Sequence, residues 1–384
     1  MDNCTQPNRV CSRCVMDSVV PGIRFGINGV CNFCQIHDRM ELAYPTGQAG
    51  EQILSVIGER IRRAGRHRAY DCVVGVSGGR DTSYCLYYVK EKMGLRPLAV
   101  HFDNGWDSDV AKTNLARLCE KLDVDLHTII MDWPESRALT NANIRACVPY
   151  IDLTDDVGIA SALYRTAARE SIRHIILSHS FREEGILPLI WNYVDGRYTR
   201  SIIKRFCDIQ TFNDFKNVDI HHMLYWILIK GIRVANITNY YDDTGDKVEL
   251  FLKENFGWED TGQHHMDNEM FALVYNYTRR KFGFDWRMVE LSAKVRTGVL
   301  TRPEALEVLK TPPFFETDEM VDYCLKKQGL SHEEYEGIIA ASNKYFTDYP
   351  SNYPLLRVFR LPIKMLCRMH ALPIHAYEKY FECI

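Results

Sequence analysis

The chain has 384 residues, a formal net charge of −3 at neutral pH, 46% hydrophobic and 25% charged residues. This fits one or two soluble globular domains, and the weak negative charge gives no electrostatic footprint for a polyanion, local runs such as Arg279-Arg280-Lys281 aside. No apolar run is long enough to span a bilayer, His222 to Ile229 being too short, and no basic region leads into an apolar one at the start, so neither a secretory signal nor a membrane partner is expected and a cytoplasmic setting is.

The thirteen cysteines point to free thiols, because the count is odd and residues such as Cys72, Cys85 and Cys119 stand singly in apolar patterns. Four of them differ. Cys11-Ser-Arg-Cys14 and Cys31-Asn-Phe-Cys34 are two CxxC knuckles separated by sixteen residues, with turn signals at Pro21-Gly22 and Asn28-Gly29 between them. Four thiolates at that spacing predict a closed structural zinc site, with Cys4 and His37 as spare ligands nearby and an iron–sulfur cluster as the alternative.

A helical connector is expected from after Cys34 to about Arg68, with Ile53, Val56, Ile57 and Ile61 at helical spacing. A β/α alternation follows: strand Asp71–Val76, helix Thr82–Met93 closed by Gly94, strand Leu98–Phe102, helix Val110–Leu122, strand Asp125–Met131, helix Ile159–Ser171 and strand His174–Leu177. That order predicts a parallel sheet with right-handed crossovers and ligands beyond the carboxyl ends of the strands. From about Asp267 helices are predicted, Thr301-Arg-Pro-Glu304 opening one of them. The predicted division is 1–40 metal knuckles, 41–68 connector, 69–260 nucleotide domain and 261–384 a helical subdomain over the sheet's ligand edge.

The most informative stretch is Val73-Val74-Gly75-Val76-Ser77-Gly78-Gly79-Arg80-Asp81-Thr82-Ser83. A buried-strand run ends in two glycines, and an acid and two hydroxyls open a helix. Adjacent glycines let backbone N–H groups approach an anion, and the helix adds unpaired N–H groups and the positive end of its dipole. The lysine of a Walker loop is missing. Two further strand ends are polar, His101-Phe-Asp103-Asn104-Gly-Trp106 and Ser178-His179-Ser180 with Glu183-Glu184-Gly185 after it.

Ser-Gly-Gly-x-Asp-Thr resembles the PP-loop of ATP pyrophosphatases, and the ordered motifs from Cys11 to about Leu309 resemble the N-acetyl sugar amidotransferases of bacterial surface-polysaccharide (lipopolysaccharide and O-antigen) and flagellin-glycan biosynthesis. The matching residues are Cys11-Ser-Arg-Cys14-Val-Met-Asp17, Cys31-Asn-Phe-Cys34, Ser77–Ser83, Val100–Trp106, Glu184-Gly-Ile-Leu-Pro188, Asn255-Phe-Gly-Trp258 and Leu300-Thr-Arg-Pro-Glu-Ala-Leu306. Three positions depart from the pattern: Thr82 stands for serine, Ser178-His179-Ser180 for an asparagine-containing turn, and Glu290 for histidine.

The resemblance implies a PP-loop domain of the HUP-like, adenine nucleotide alpha hydrolase-like fold, and ligase-type conversion of a sugar acetamido group to acetamidino with release of AMP and pyrophosphate. In that reading Ser77, Gly78, Gly79, Thr82 and Ser83 hold the ATP phosphates, and Asp81 holds Mg²⁺ or caps its helix. His101, Asp103 and Asn104 lie near adenosine or hold their strand-end loop by structural hydrogen bonds, and Glu184 is a substrate-facing acid or caps the next segment. Asp155, Asp156, His179, Arg200 and Lys204 are candidate substrate contacts, with Arg280 a further basic candidate. No glutaminase signature is visible, so ammonia is expected from a separate glutaminase subunit. The rival is a PP-loop tRNA thiolase, for which Cys147 and Cys207 are the available cysteines; a non-catalytic nucleotide-binding module is the third reading.

Overall fold

The computed structural model of the chain describes residues 9–243, 245–260, 267–368 and 374–382; Cys4 lies outside them. Helix α1 (Asn32–Ala43) starts directly on Cys31, and α2 (Gly47–Gly65) follows. The alternating part is β1 (Cys72–Gly75), α3 (Arg80–Tyr87), β2 (Pro97–Asp103), α4 (Asp109–Leu122), β3 (Leu126–Ile130), α5 (Trp133–Arg145), α6 (Leu153–Arg169), β4 (His174–Leu177), α7 (Gly196–Phe206), α8 (Ile220–Leu224) and β5 (Arg233–Asn236). Then come α9 (Asp246–Phe256), α10 (Phe271–Phe282), α11 (Arg287–Thr297), α12 (Arg302–Val308), α13 (Asp318–Gln328), α14 (His332–Ala340), α15 (Tyr353–Val358), α16 (Arg360–Arg368) and α17 (Ile374–Glu382).

The five strands form one parallel sheet in the order β3-β2-β1-β4-β5. The central strand β1 is apolar on both faces, as a strand covered on both sides must be. Cys72 and Val74 face a layer that includes Leu54, Leu86, Leu115 and Leu252. Val73 faces Ala162 and Leu163 of α6. Gly158 lets α6 cross close to β2, since a Cβ there would lie 2.4 Å from the Phe102 ring. Successive connections run one way to β2 and β3 and the other way to β4 and β5, so the sheet's switch point falls between β1 and β4.

Several expectations change. The helix expected over Thr82–Met93 starts at Arg80 and widens into a π-helical turn at Tyr88–Lys92, which lays Tyr88 flat against Tyr241 with ring centroids 4.6 Å apart. Helix α6 begins six residues before the expected Ile159, which places Asp155 and Asp156 in its first turn rather than ahead of it; acids there are favoured by the helix dipole. Helix α5 and strand β5 were not expected. The first has a Ser/Thr/Asn-rich sequence with weak periodicity, and the second is four residues of mixed polarity.

The helices after residue 267 close over the carboxyl edge of the sheet. Ser108 N–H donates to the Asp267 carbonyl at 2.8 Å, and Glu269 N–H to the Trp106 carbonyl at 3.0 Å. Trp106 is fully buried among α10 and α13 residues, with the Lys327 ammonium 4.1 Å from its ring centroid. No helix of the described residues is long and apolar enough to cross a membrane.

Candidate active site

The loop after β1 is held from both sides. Gly78 has φ +85°, and a Cβ on it would sit 2.1 Å from the Ala111 carbonyl oxygen of α4. Only glycine satisfies both conditions. Its carbonyl accepts from the Trp258 indole Nε1 at 2.9 Å, and Asn114 Nδ2 lies 3.5 Å away. With that carbonyl turned outward, the N–H of Gly79 points into the loop, where it donates to Ser77 Oγ at 3.3 Å. Thr82 Oγ1 accepts from Ser77 N–H at 3.2 Å and lies 3.1 Å from Ser77 Oγ. Ser77, Gly78, Gly79 and Thr82 are thus brought together in one turn at the start of α3. Ser83 is buried beneath it, its hydroxyl without a partner among the described residues.

Asp81 opens from this turn into a cleft that it lines with Tyr84, Ser178, Ser180, Glu183, Thr238, Tyr241 and Asp243. The cleft lies at the switch point between β1 and β4. The Arg80 guanidinium joins its two acids, with Nε 2.8 Å from Asp81 Oδ1 and Nη2 paired with Glu183 Oε2. Burial opposes the Arg80 charge, but Asp81 and Glu183, with Glu290 of α11 behind them, raise its pKa above the ordinary value. Two carboxylates from different elements, bridged by a cation, form the hard-oxygen pair that Mg²⁺ prefers.

The acid that shares Arg80 with Asp81 is Glu183. Glu184 turns back on its own loop, with Oε2 2.6 Å from His179 Nδ1 and Oε1 accepting from Ser180 N–H at 3.1 Å. Neighbouring residues in a turn face different ways, and the motif alone did not say which faced the loop after β1.

His101 and Asn104 are buried and make the structural hydrogen bonds that were one of their two expected roles. His101 Nδ1 lies 2.9 Å from the Val76 carbonyl and Nε2 2.9 Å from Asp107. Burial opposes a charged ring, Asp107 outweighs it, and the His101 pKa is raised. Asn104 accepts from Trp106 N–H at 3.0 Å and donates to Asp155 at 2.8 Å. Asp103 is half-buried, accepts from Gly105 N–H at 2.8 Å and faces Lys112 at 3.8 Å.

Asp155 leads to a second polar group. Burial first, then Asp152 and Asp156, hold its pKa well above the carboxylate range. Asp156 is raised by burial, against the influence of Lys379, Tyr150, Asn192 and His179. Lys379 of α17 donates to Asn192 at 3.0 Å. Asp155 and Asp156 thus lie together, and His179, Tyr150, Asn192 and Lys379 lie close enough to act on Asp156. Arg200 and Lys204 do not join this group. Arg200 pairs with Asp219, and Lys204 is exposed on α7. Arg280 pairs with Glu336 at 2.7 Å on the surface.

The four N-terminal cysteines are buried together, with Cys11–Cys34 sulfurs 3.9 Å apart and Cys14–Cys31 and Cys31–Cys34 sulfurs 3.7 Å apart. A tetrahedral ion with bonds of about 2.3 Å to thiolates has sulfur–sulfur edges of about 3.8 Å. The quartet therefore fits a single ion; a four-iron cube, with one thiolate on each iron, would hold the sulfurs much farther apart. Arg296 of α11 is buried against it, its guanidinium 3.3 Å from both Cys14 and Cys34 sulfurs. Burial works against that charge and the cysteine sulfurs raise its pKa above the ordinary value. Arg302 donates to the Cys11 carbonyl at 2.8 Å and the Cys14 carbonyl at 3.0 Å. His37 is not a ligand here. It packs against Phe181, and burial lowers its pKa to about 3.

Two other groups among the described residues bring ligand atoms together, His101/Asp103/Asp107 and Asp219/His221/His222. In the first, His101 and Asp107 already satisfy each other; in the second, Arg200 occupies Asp219. Cys147 and Cys207 are buried, apart from the quartet, and belong to neither group.

A glycine-hinged strand–helix turn at the switch point of a parallel sheet, beside paired acids, lies where open α/β sheets bind their ligands. Residues 250–362 match the family described as "LPS biosynthesis protein WbpG-like, C-terminal domain". An uncharacterised protein of Methanocaldococcus jannaschii is 22% identical over 245 residues, covering 63% of this chain and 73% of that protein. Similar solved structures include NMN synthetase from Francisella tularensis, 14% identical, covering 73% of this chain and 95% of that one at a TM-score of 0.32. NH3-dependent NAD synthetase from Campylobacter jejuni is 15% identical, covering 69% and 98% at 0.29. The U34-tRNA thiolase NcsA from Methanococcus maripaludis, with its [4Fe-4S] cluster, is 11% identical, covering 80% and 89% at 0.29. These scores are low, and the site stands on this chain's own residues.

Two outcomes follow from this geometry. Trp258→Phe keeps the ring but leaves the buried Gly78 carbonyl with a weakened set of donors, a loss of about 1–3 kcal/mol; titration calorimetry should show ATP binding weakened about tenfold or more, beyond any fall in melting temperature. Metal analysis should find one thiolate-bound ion per chain, and stripping it should raise amide hydrogen exchange across 9–40 and at α11, because metal binding supplies the folding energy of such knuckles.

Proposed function

We propose that the chain is an ATP-dependent, AMP-forming amidotransferase acting on an acetamido sugar in the cytoplasm, with ammonia delivered by a separate glutaminase. The observation that carries this reading is the Gly78–Gly79 turn facing Asp81 and Glu183, beneath a C-terminal domain of the WbpG-like lipopolysaccharide-biosynthesis kind.

The chemistry requires activation because an amide oxygen is a poor leaving group. The acetamido oxygen attacks the α-phosphorus of ATP, the bond to the pyrophosphate oxygen breaks, and an O-adenylated imidate forms. Ammonia adds to the imidate carbon, a proton leaves the nitrogen, and the carbon–oxygen bond breaks to release AMP. The product amidine takes up a proton and is cationic at neutral pH.

In this reading the N–H groups of Gly79 and the first turn of α3 hold the phosphates, and Thr82 keeps the turn closed. Asp81 and Glu183 would hold Mg²⁺, which neutralises charge on the phosphate oxygens when bound. Arg80, released from these two acids, has the length and charge to meet the pyrophosphate. The sugar would enter between His179 and the Asp155–Asp156 group. Within this group a carboxylate that stays ionised can accept the proton lost by the attacking nitrogen, and a second can face the cationic product. The four cysteines, closed to substrate, would hold zinc in a structural role.

The test incubates the chain with ATP, Mg²⁺, ammonium and a panel of free and nucleotide-linked acetamido sugars. One sugar should lose mass equal to the difference between O and NH, with AMP and pyrophosphate formed in step. Asp81→Asn and Glu183→Gln should each lower the rate by about a hundredfold or more, while Glu184→Gln should have the smaller effect. AMP formation with no change in any sugar would assign the site to another carbonyl-adenylating reaction.

A further inference from the structure

We propose that the α15–α16 ridge docks the enzyme onto an anionic membrane surface. The thirteen residues from Pro354 to Leu366 carry only hydrocarbon, thioether or cationic side chains. No acid occurs between Asp348 and Glu378, in a chain whose net charge is −3. The apolar side chains are not packed away. Val358 is 75% exposed, Leu361 76% and Met365 58%, with Leu355, Phe359 and Leu366 also open. Soluble proteins rarely leave so many large apolar groups together on one surface.

The ridge is fastened from its inner side. Buried Cys367 lies beneath it, and Arg360 donates to Tyr377 at 3.1 Å and to Glu382 at 2.7 Å. Val358, Leu361 and Met365 follow at i, i+3 and i+7 and are exposed, with Arg357 exposed beside them and the exposed Lys364 at the flank, its ammonium 5.2 Å from the Tyr377 ring centroid. An apolar face edged by cations is the pattern of a helix lying in a lipid interface.

Charge and chemistry select this occupant over others. A second copy related by a two-fold axis would bring like cations together, which is repulsive. A protein partner would find no neutral hydrogen-bonding side chain along the ridge, whereas protein interfaces carry many hydrogen bonds. A bilayer asks only for apolar groups at the acyl boundary and cations at anionic headgroups. This departs from the sequence-based expectation of no membrane partner, which rested on the lack of a spanning segment. It does not depend on which reaction the cleft performs.

Flotation of the full chain with vesicles tests it. Vesicles of phosphatidylcholine containing about one third phosphatidylglycerol should bind the chain, pure phosphatidylcholine vesicles should not, and added salt should release it. Arg357→Gln with Lys364→Gln should weaken partition about five-fold per charge removed. Val358→Ser with Leu361→Ser and Met365→Ser should abolish it, with thermal melts showing that both variants fold. The proposal is overturned if anionic vesicles do not bind, if neutral vesicles bind as well, or if the triple variant binds like the parent. A dimer that dissociates on the triple substitution would likewise overturn it and give the ridge to a second copy.

Discussion

The hydrogen bond from the Trp258 indole to the Gly78 carbonyl is the contact on which the candidate active site turns. A carbonyl and the next N–H in a peptide point in opposite directions, so fixing one aims the other. With the oxygen anchored outward and α4 pressed against the glycine's bare face, the Gly79 amide is aimed into the loop, where Ser77 Oγ receives it. Asn114 ties the same arrangement to the chain after Trp258, since its Oδ1 accepts from Glu259 N–H at 2.8 Å and its Nδ2 donates to the Glu259 carbonyl at 2.8 Å. The WbpG-like segment therefore shapes the loop as well as covering it.

The same logic orders the acids. Asp81 is carried on the first turn of α3 and Glu183 on the turn after β4, two strands adjacent in the sheet though far apart in sequence. Arg80 spans them and Gly245 N–H donates to Glu183 at 3.1 Å, which fixes the acid from behind. The deeper carboxyl group at Asp155 and Asp156 reaches the strand tips through Asn104. The buried Asn104 thus joins the candidate substrate region to the strand after the phosphate loop.

Much of this was legible in the residues. The strand–glycine–helix junction predicted the turn at Ser77–Ser83, and the CxxC spacing predicted four converging sulfurs. Long-range facing was not legible. Nothing in Glu183-Glu184 says which carboxylate looks toward Asp81, because that depends on how the turn after β4 is closed by Ser180. Arg296 and Arg302 read as ordinary helix residues, yet the fold buries one beside the sulfurs and hooks the other onto the knuckle carbonyls. His101 and Asn104 stand at a strand tip, where polar residues serve as ligands or as loop anchors; here His101 is held by Val76 and Asp107, and Asn104 by Trp106 and Asp155. Helix α5 escaped notice because its buried face is polar, Glu135 accepting backbone N–H groups of residues 213–215.

The two arginines on α11 and α12 have a consequence for how such a protein can be cut or recombined. The cysteine knuckle looks modular, a small unit at one end of the chain, but its counter-charge and its carbonyl hooks come from almost three hundred positions later. A chimera that exchanged only the first forty residues would bring a guanidinium into the interior with no sulfurs to meet it. The knuckle and the far helices must be inherited as one piece.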